Sequence, residues 1–370
     1  MGYAIIKGGH KAREESEKIN DLFRLAEANA QSLPAEMVEK QMRFAVYKVM
    51  SEGSLYAPEL AALAIKQAEG DLIEATFIMR SICTTFRRWG YSEPMDTAKM
   101  RIIRRTSSSF KDVPGGQYLG PTKDYTLRLL RWQLRHEKAD DVTRLLKEWE
   151  DISPAEQPAM AKMTDIMREL GFVRPARAAQ EEEPYDITIK PIRHLSPTRS
   201  AKLQALTRGE SGAMVAIAYS ALRGYGHVHP NLAELRCGYV EMSIRHPYLD
   251  ESVCIGEILL TQCDALIVGT LMLDVKEDLT FELGYGACFG QEERKAISMA
   301  ILDASLRTDS PAHPSESSEF VLYHTDGVDS SSFIDHLKMP HYLLFTAALD
   351  RIREVAERRN RRIEGVNSDD

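Results

Sequence analysis

"CGYVEMSIRHPYLDESVCIGEILLTQ" (237–262) is the stretch on which the fold turns. Its two ends, "CGYVEMSI" and "VCIGEILLTQ", carry aliphatic and aromatic residues between turn-prone Pro, Asp and Ser, and both read as strands. Working outward, "YDITI" (185–189), "LTFEL" (279–283) and "FVLYHT" (320–325) read the same way. Helices are expected around 198–222, 291–306 and 342–362, between or after these strands. Upstream the texture differs. "YAIIK" (3–7) before Gly8 and Gly9 reads as a short strand, but 34–89 reads as helix. Pro34 and Pro58 stand where first-turn prolines are tolerated, and Gly53, Gly70 and Gly90 where helices stop. Leu72, Ile73, Phe77, Ile78, Ile82 and Phe86 recur at helical spacing and predict a buried face. A further helix follows "SPAEQPAM" (153–160), with Ser153 and Glu156 as a capping box and Gly171 as its stop.

The polar, acidic "RPARAAQEEEPYD" (174–186) is the expected linker. It divides a helix-rich region, 1–178, from a strand-containing region, 186–370. The fold class is α+β: a helix-rich N-terminal part followed by a mixed β-sheet region with flanking helices.

Composition narrows the function. The 370 residues suffice for two domains, with ordinary hydrophobic (44%) and charged (28%) contents. A net charge of -8 and a pI near 5.8 argue against general nucleic-acid binding, so an anionic ligand would need a local basic patch. The most apolar run, "AMVAIAYSAL" (213–222), is too short and too interrupted to span a membrane, and the N-terminus does not read as a signal peptide. Five widely spaced cysteines with no Cys-x-x-Cys fit reduced thiols in the cytoplasm.

Four stretches carry more Gly, aromatic and charged residues than packing requires. The first, "RIIRRTSSSFKDVPGGQYLGPTKDYTLRLLR" (101–131), has four basic residues and no acidic one between Arg101 and Lys111. Arg104, Arg105, Gly115, Gly116, Gly120 and Thr122, leading into an expected helix at "DYTLRLL" (124–130), form a candidate phosphate cradle. No Gly-Lys-Ser/Thr follows, so this is not a P-loop, and a turn-rich connector with solvated arginines is the competing reading. The second and third stretches each contain Gly-Tyr-Gly, at 224–226 and 284–286, where the chain is expected to turn sharply. His227, His229 and Glu234 lie near the first, and Glu292, Glu293, Arg294 and Lys295 near the second. The fourth, "EFVLYHTDGVDSSSFIDHLKMPHY" (319–342), ends in His336 and His341, with Pro340 directly before the latter. A five-residue step does not stack two imidazoles on one helix face, and Pro340 pushes Met339 toward an extended conformation. The pair therefore straddles a helix end and the following turn, where two imidazoles either share a metal ion or share nothing.

Together "YAIIKGGHKA", "FKDVPGGQYLGPTKDYTLRLL", "RGYGHVHPNLAELRCGYV", "GYGACFGQEERKAISMAILD" and "HLKMPHY" resemble, in order, the PhnI family of the bacterial carbon–phosphorus lyase core complex. The acidic linker and "TDSPAHPSESSE" (308–319) are less similar. The resemblance implies an enzyme subunit that works with PhnG, PhnH and PhnL on MgATP and an alkylphosphonate. Adenine is displaced from C1′ to give α-D-ribose 1-methylphosphonate 5-triphosphate, and the family member alone is associated with purine nucleosidase action. It further implies a two-fold hetero-oligomer that also contains PhnJ, with zinc held by His336 and His341 near the PhnJ interface.

That chemistry requires a triphosphate cradle, stabilisation of an oxocarbenium-like centre and a proton for the leaving purine. His227, His229, Glu293 and Asp326 are the acid–base candidates, and the residues do not decide among them. A scaffold that contributes metal ligands without owning the glycosyl-transfer site is the alternative.

Overall fold

The computed structural model describes residues 9–26, 31–149, 160–173, 185–190, 192, 198–268, 280–308 and 310–366. Thirteen helices are described: α1 His10–Leu25, α2 Ala35–Gln41, α3 Arg43–Gly53, α4 Pro58–Gln67, α5 Leu72–Cys83, α6 Ala139–Lys147, α7 Met163–Glu169, α8 Arg199–Arg208, α9 Ser211–Leu222, α10 Glu293–Ser305, α11 Ser318–Thr325, α12 Gly327–Asp335 and α13 Tyr342–Val366. The strands are β1 Arg101–Thr106, β2 His229–Arg245, β3 Ser252–Val268 and β4 Glu282–Phe289. The chain divides into two compact units, Arg24–Gly327 and the paired ends Met1–Phe23 with Val328–Asp370. No described helix is long and apolar enough to cross a membrane.

Within Arg24–Gly327, the N-terminal helices follow most of their punctuation, but α5 ends at Cys83, short of the stop expected at Gly90. Pro58 occupies the first turn of α4, and Asp71 caps α5 by accepting the Ile73 and Glu74 amides at 2.9 and 3.2 Å. Helices α2 to α5 bury one another through Val38, Val46, Val49, Met50, Ile65, Ala75 and Met79. The expected face of α5 is only partly the buried one. Ala75, Thr76 and Met79 are the deepest, because Gly53 lets α3 approach so closely that an added Cβ would stand 2.8 Å from that of Met79. Phe86 lies beyond the helix end and is exposed.

The sheet runs in the order β1-β2-β3-β4, with every ladder antiparallel. This corrects the expectation of a mixed sheet, since β2, β3 and β4 run back and forth and no parallel pair is formed between named strands. β1 comes from the helix-rich part of the sequence yet pairs with β2, Arg105 opposite Arg236.

Three further expectations give way to local chemistry. "YDITI" is a turn, because the Asp186 carboxylate accepts the Thr188 amide at 2.9 Å. "FVLYHT" lies in α11, which Ser317 caps through the Phe320 amide. "DYTLRLL" is not helical, and Arg128 within it has a φ of 54°. The "YAIIK" strand, the Ser153–Glu156 cap and nearly all of the linker lie outside the described residues.

Period-two alternation gives the sheet two unlike faces. Leu235, Cys263, Ala265, Ile267 and Cys288 point to the face covered by α8, α9 and α10. Glu234, Arg236, Gln262 and Asp264 occupy the alternate positions, and all four are buried. The second Gly-Tyr-Gly does not turn; it lies inside β4. Its glycines let α10 lie directly on the strand: a Cβ on Gly286 would stand 2.0 Å from the Ala296 carbonyl oxygen, and one on Gly284 2.1 Å from that of Ala300.

Candidate functional site

The histidine pair sits where a helix is forced to stop. α12 runs into a short 3-10 turn, His336–Lys338, and Met339 is extended (φ -78°, ψ 156°), as the following proline requires. α13 begins just after His341. The two imidazole centroids lie 5.3 Å apart, with the rings at 63°. Each Nδ1 donates to a backbone carbonyl, that of His336 to Phe333 and that of His341 to Met339, the latter at 2.6 Å. A carbonyl can only accept, so Nδ1 carries a proton, and the neutral form of each ring has its lone pair on Nε2. Two imidazoles whose Nε2 atoms stand about 2.0–2.1 Å from one tetrahedral ion have centroids about 5 Å apart, so this donor set fits zinc. Among the described residues, no group of three or more His, Cys, Asp or Glu is arranged to hold a metal ion. The pair would leave coordination positions for water, a substrate or another chain.

The arginine- and glycine-rich stretch is assembled differently from its expectation. Arg104 and Arg105 are neighbours in β1 and therefore point to opposite faces of the sheet. Arg104 reaches Asp124 at 2.5 Å and Glu293 at 2.6 Å, and donates to the Leu119 carbonyl. Arg105 is buried against Glu234 at 2.5 Å and donates to the carbonyls of Pro114 and Ala161. The structure thus brings each guanidinium to a carboxylate and does not bring the two together. Gly115, Gly116 and Gly120 all have positive φ. At Gly120 an added Cβ would meet the Ile103 carbonyl oxygen at 2.2 Å, so this glycine folds the loop back onto β1. Thr122 accepts the Asp124 amide at 3.1 Å, which positions the carboxylate that Arg104 uses.

The four acid–base candidates also separate. Glu293 is held by Arg104, and Asp326 receives two hydrogen bonds from Arg80, at 2.7 and 2.9 Å. His229 opens β2 and is exposed. His227 follows the first Gly-Tyr-Gly, where Gly224 (φ 100°) does turn the chain after α9. Its Nδ1 lies 2.7 Å from a carboxylate oxygen of buried Glu316, while the imidazole is 60% exposed.

Glu316, His313 and the approach of Glu52 to buried Lys295 were not legible, although Lys295 itself was singled out with Glu292, Glu293 and Arg294. Glu316 lies 89 positions from His227, inside the 308–319 stretch that resembles the family less. Lys295 has no exposed surface, and its ammonium has no hydrogen-bond partner among the described residues. Burial lowers its pKa, opposed by Glu52, Cys288 and Glu292. Burial also pushes Glu292 up to about 7. No sequence spacing relates Glu52 to a lysine on α10.

The family described as "Bacterial phosphonate metabolism protein (PhnI)" matches residues 2–359. This chain belongs to the PhnI family. It is 40% identical over 358 residues to the alpha-D-ribose 1-methylphosphonate 5-triphosphate synthase subunit PhnI of Rhizobium meliloti, covering 95% of this chain and 94% of the relative. The Escherichia coli protein of the same name is 38% identical over 363 residues, covering 97% and 99%. A Stutzerimonas stutzeri protein with the provisional name C-P lyase subunit protein HtxH is 45% identical over 365 residues, covering 97% of each chain. The His336–His341 turn and both Gly-Tyr-Gly segments lie within the region that matches the PhnI family.

Proposed function

We propose that this chain is a subunit of the bacterial carbon–phosphorus lyase complex that joins an alkylphosphonate to C1′ of MgATP with loss of adenine. The product is α-D-ribose 1-methylphosphonate 5-triphosphate. Full-length membership of the PhnI family, with two relatives named as subunits of that synthase, is the observation that carries this reading. PhnG, PhnH and PhnL are the proposed partners in this step, PhnJ is the companion subunit for carbon–phosphorus cleavage, and the assembly is two-fold symmetric and cytoplasmic.

Large apolar side chains left in solvent support a role as one subunit among several. Leu127 and Leu130 are 86% and 71% exposed in the loop after β1, and Leu343 is 87% exposed on α13. In this proposal His336 and His341 hold zinc through Nε2, and the bound ion supplies Lewis acidity toward an anionic oxygen. The chain's own residues fix both imidazoles by tying Nδ1 to carbonyls. Glu293 and Asp326 are each engaged by an arginine, Arg104 and Arg80, so in this proposal an imidazole delivers the proton to the purine.

The test combines this chain with its partner subunits, MgATP and methylphosphonate, and follows adenine release and phosphorus NMR. Free adenine and a ribose product retaining all three phosphates are expected. ADP or AMP as first product, with adenine still attached, overturns the glycosyl-transfer reading. The isolated chain given ATP separates a nucleosidase, which releases adenine, from a scaffold, which does not.

A further inference from the structure

A second histidine pair stands at the end of α9. His227 and His313 have ring centroids 5.1 Å apart at 50°, nearly the separation found between His336 and His341. The backbone has been shaped for this meeting. Gly226 passes Ser315 so closely that an added Cβ would lie 3.1 Å from its Oγ, and that hydroxyl donates to the Tyr225 carbonyl.

Glu316 lies behind the pair. It is 5% exposed and accepts hydrogen bonds from the backbone amides of His227, Ala312 and His313 at 3.1, 2.9 and 3.2 Å. The same carboxylate accepts from His227 Nδ1 at 2.7 Å. A carboxylate accepting from Nδ1 fixes the tautomer of neutral His227, with the lone pair on Nε2, and makes that nitrogen a better donor to a cation.

We propose that His227 and His313 form a second site for a zinc-class divalent cation, with Glu316 as the outer-sphere carboxylate that orients His227. The centroid separation suits two Nε2 ligands about 2.0–2.1 Å from one tetrahedral ion. Two protein ligands leave two positions for water or an anionic oxygen. The role competes with proton transfer by His227, because a nitrogen bound to zinc cannot also carry the proton.

The test is a zinc titration of the full-length chain against a chromophoric chelator, with zinc as the only added metal. Four proteins are compared: wild type, His227→Ala/His313→Ala, His336→Ala/His341→Ala, and Glu316→Gln. The first double variant is expected to lose one zinc equivalent, and His336→Ala/His341→Ala is expected to retain that equivalent. Glu316→Gln is expected to keep the stoichiometry while weakening the affinity about 10–100-fold. Cobalt(II) in place of zinc should give tetrahedral visible bands that His227→Ala/His313→Ala reduces. Thermal melts by circular dichroism check folding, and His313→Gln alone serves if the double variant unfolds. Equal zinc stoichiometry and affinity in wild type and in the folded His227/His313 variant overturns the proposal.

Discussion

The two faces of the sheet solve burial by opposite means. Under α8 to α10, Leu235, Cys263, Ala265, Ile267 and Cys288 meet Met299, Ala300 and Leu302 in an apolar contact close enough to need glycine in β4. On the other face, Arg105, Glu234, Arg236 and Asp264 make a charged strip between two small apolar clusters, one around Met100, Ile102 and Leu260, the other around Met167, Ala233 and Leu266. Apolar burial contributes about 1.5–3 kcal/mol per large side chain without demanding directionality. Buried charge contributes only when every partner is in place, so the charged face should fail by loss of a partner and the apolar face by excess of volume.

Gly286→Val gives the largest expected effect. Its side chain has no space before the Ala296 carbonyl, and a destabilisation of about 5 kcal/mol or more should leave the chain unfolded or insoluble. A folded variant with a near-native melting temperature would show that α10 can lift from β4.

On the charged face, Glu234→Ala removes the partner of buried Arg105 and also the acceptor of the Met163 amide at 3.1 Å. A loss of about 3–5 kcal/mol is expected in denaturant titration. Replacing both members, Arg105→Met with Glu234→Leu, should recover most of that loss, because the cost lies in the stranded cation. A double variant no better than the single one would mean that the strip is held by its backbone contacts instead.

A smaller effect is expected in the pH dependence. Burial pushes Asp264 up to about 6, with Lys162 and Arg236 opposing. Because the folded-state value exceeds the unfolded one, the native state binds more protons between about pH 4 and 6. Its stability therefore rises as pH falls through that window, and the cost of the charged form is complete above it. Asp264→Asn should stabilise the protein at pH 8 by at most about 3 kcal/mol and leave it unchanged near pH 4. Equal effects at both pH values would show that the carboxylate is not the titrating group.

The smallest stability change is expected from His336→Ala/His341→Ala, which lies in the other compact unit of the chain. A shift within about 0.5 kcal/mol in the absence of metal should accompany loss of bound zinc, measured by elemental analysis. Unchanged zinc content would remove the pair from the metal site.

How far the site was legible follows from sequence distance. The His336–His341 turn could be read because Pro340 and its neighbours lie within a few residues, and local sterics set the backbone there. The cradle could not be read the same way. Six candidate residues between 104 and 122 looked like one site, but strand alternation sends Arg104 toward α10 and Arg105 toward the loop at Ala161. The strand itself was hidden, since "RIIRRT" shows basic residues where a reader looks for an apolar face. Glu316 carries no local signal, because its partner His227 is remote in the chain.

By itself the sequence determined the helical N-terminal region, its proline starts at α2 and α4, the central parts of β2 and β3 with the start of β4, and membership of a family through blocks long enough to exclude coincidence. These are local properties: propensity, periodicity and turn chemistry act over a few residues and leave their mark in order along the chain. Tertiary structure alone decided which charge meets which. Arg105 finds Glu234 across 129 positions, Arg80 finds Asp326 across 246, and His227 finds Glu316 across 89. A buried ion must be matched wherever the fold brings a counter-charge, and no local pattern records where that will be.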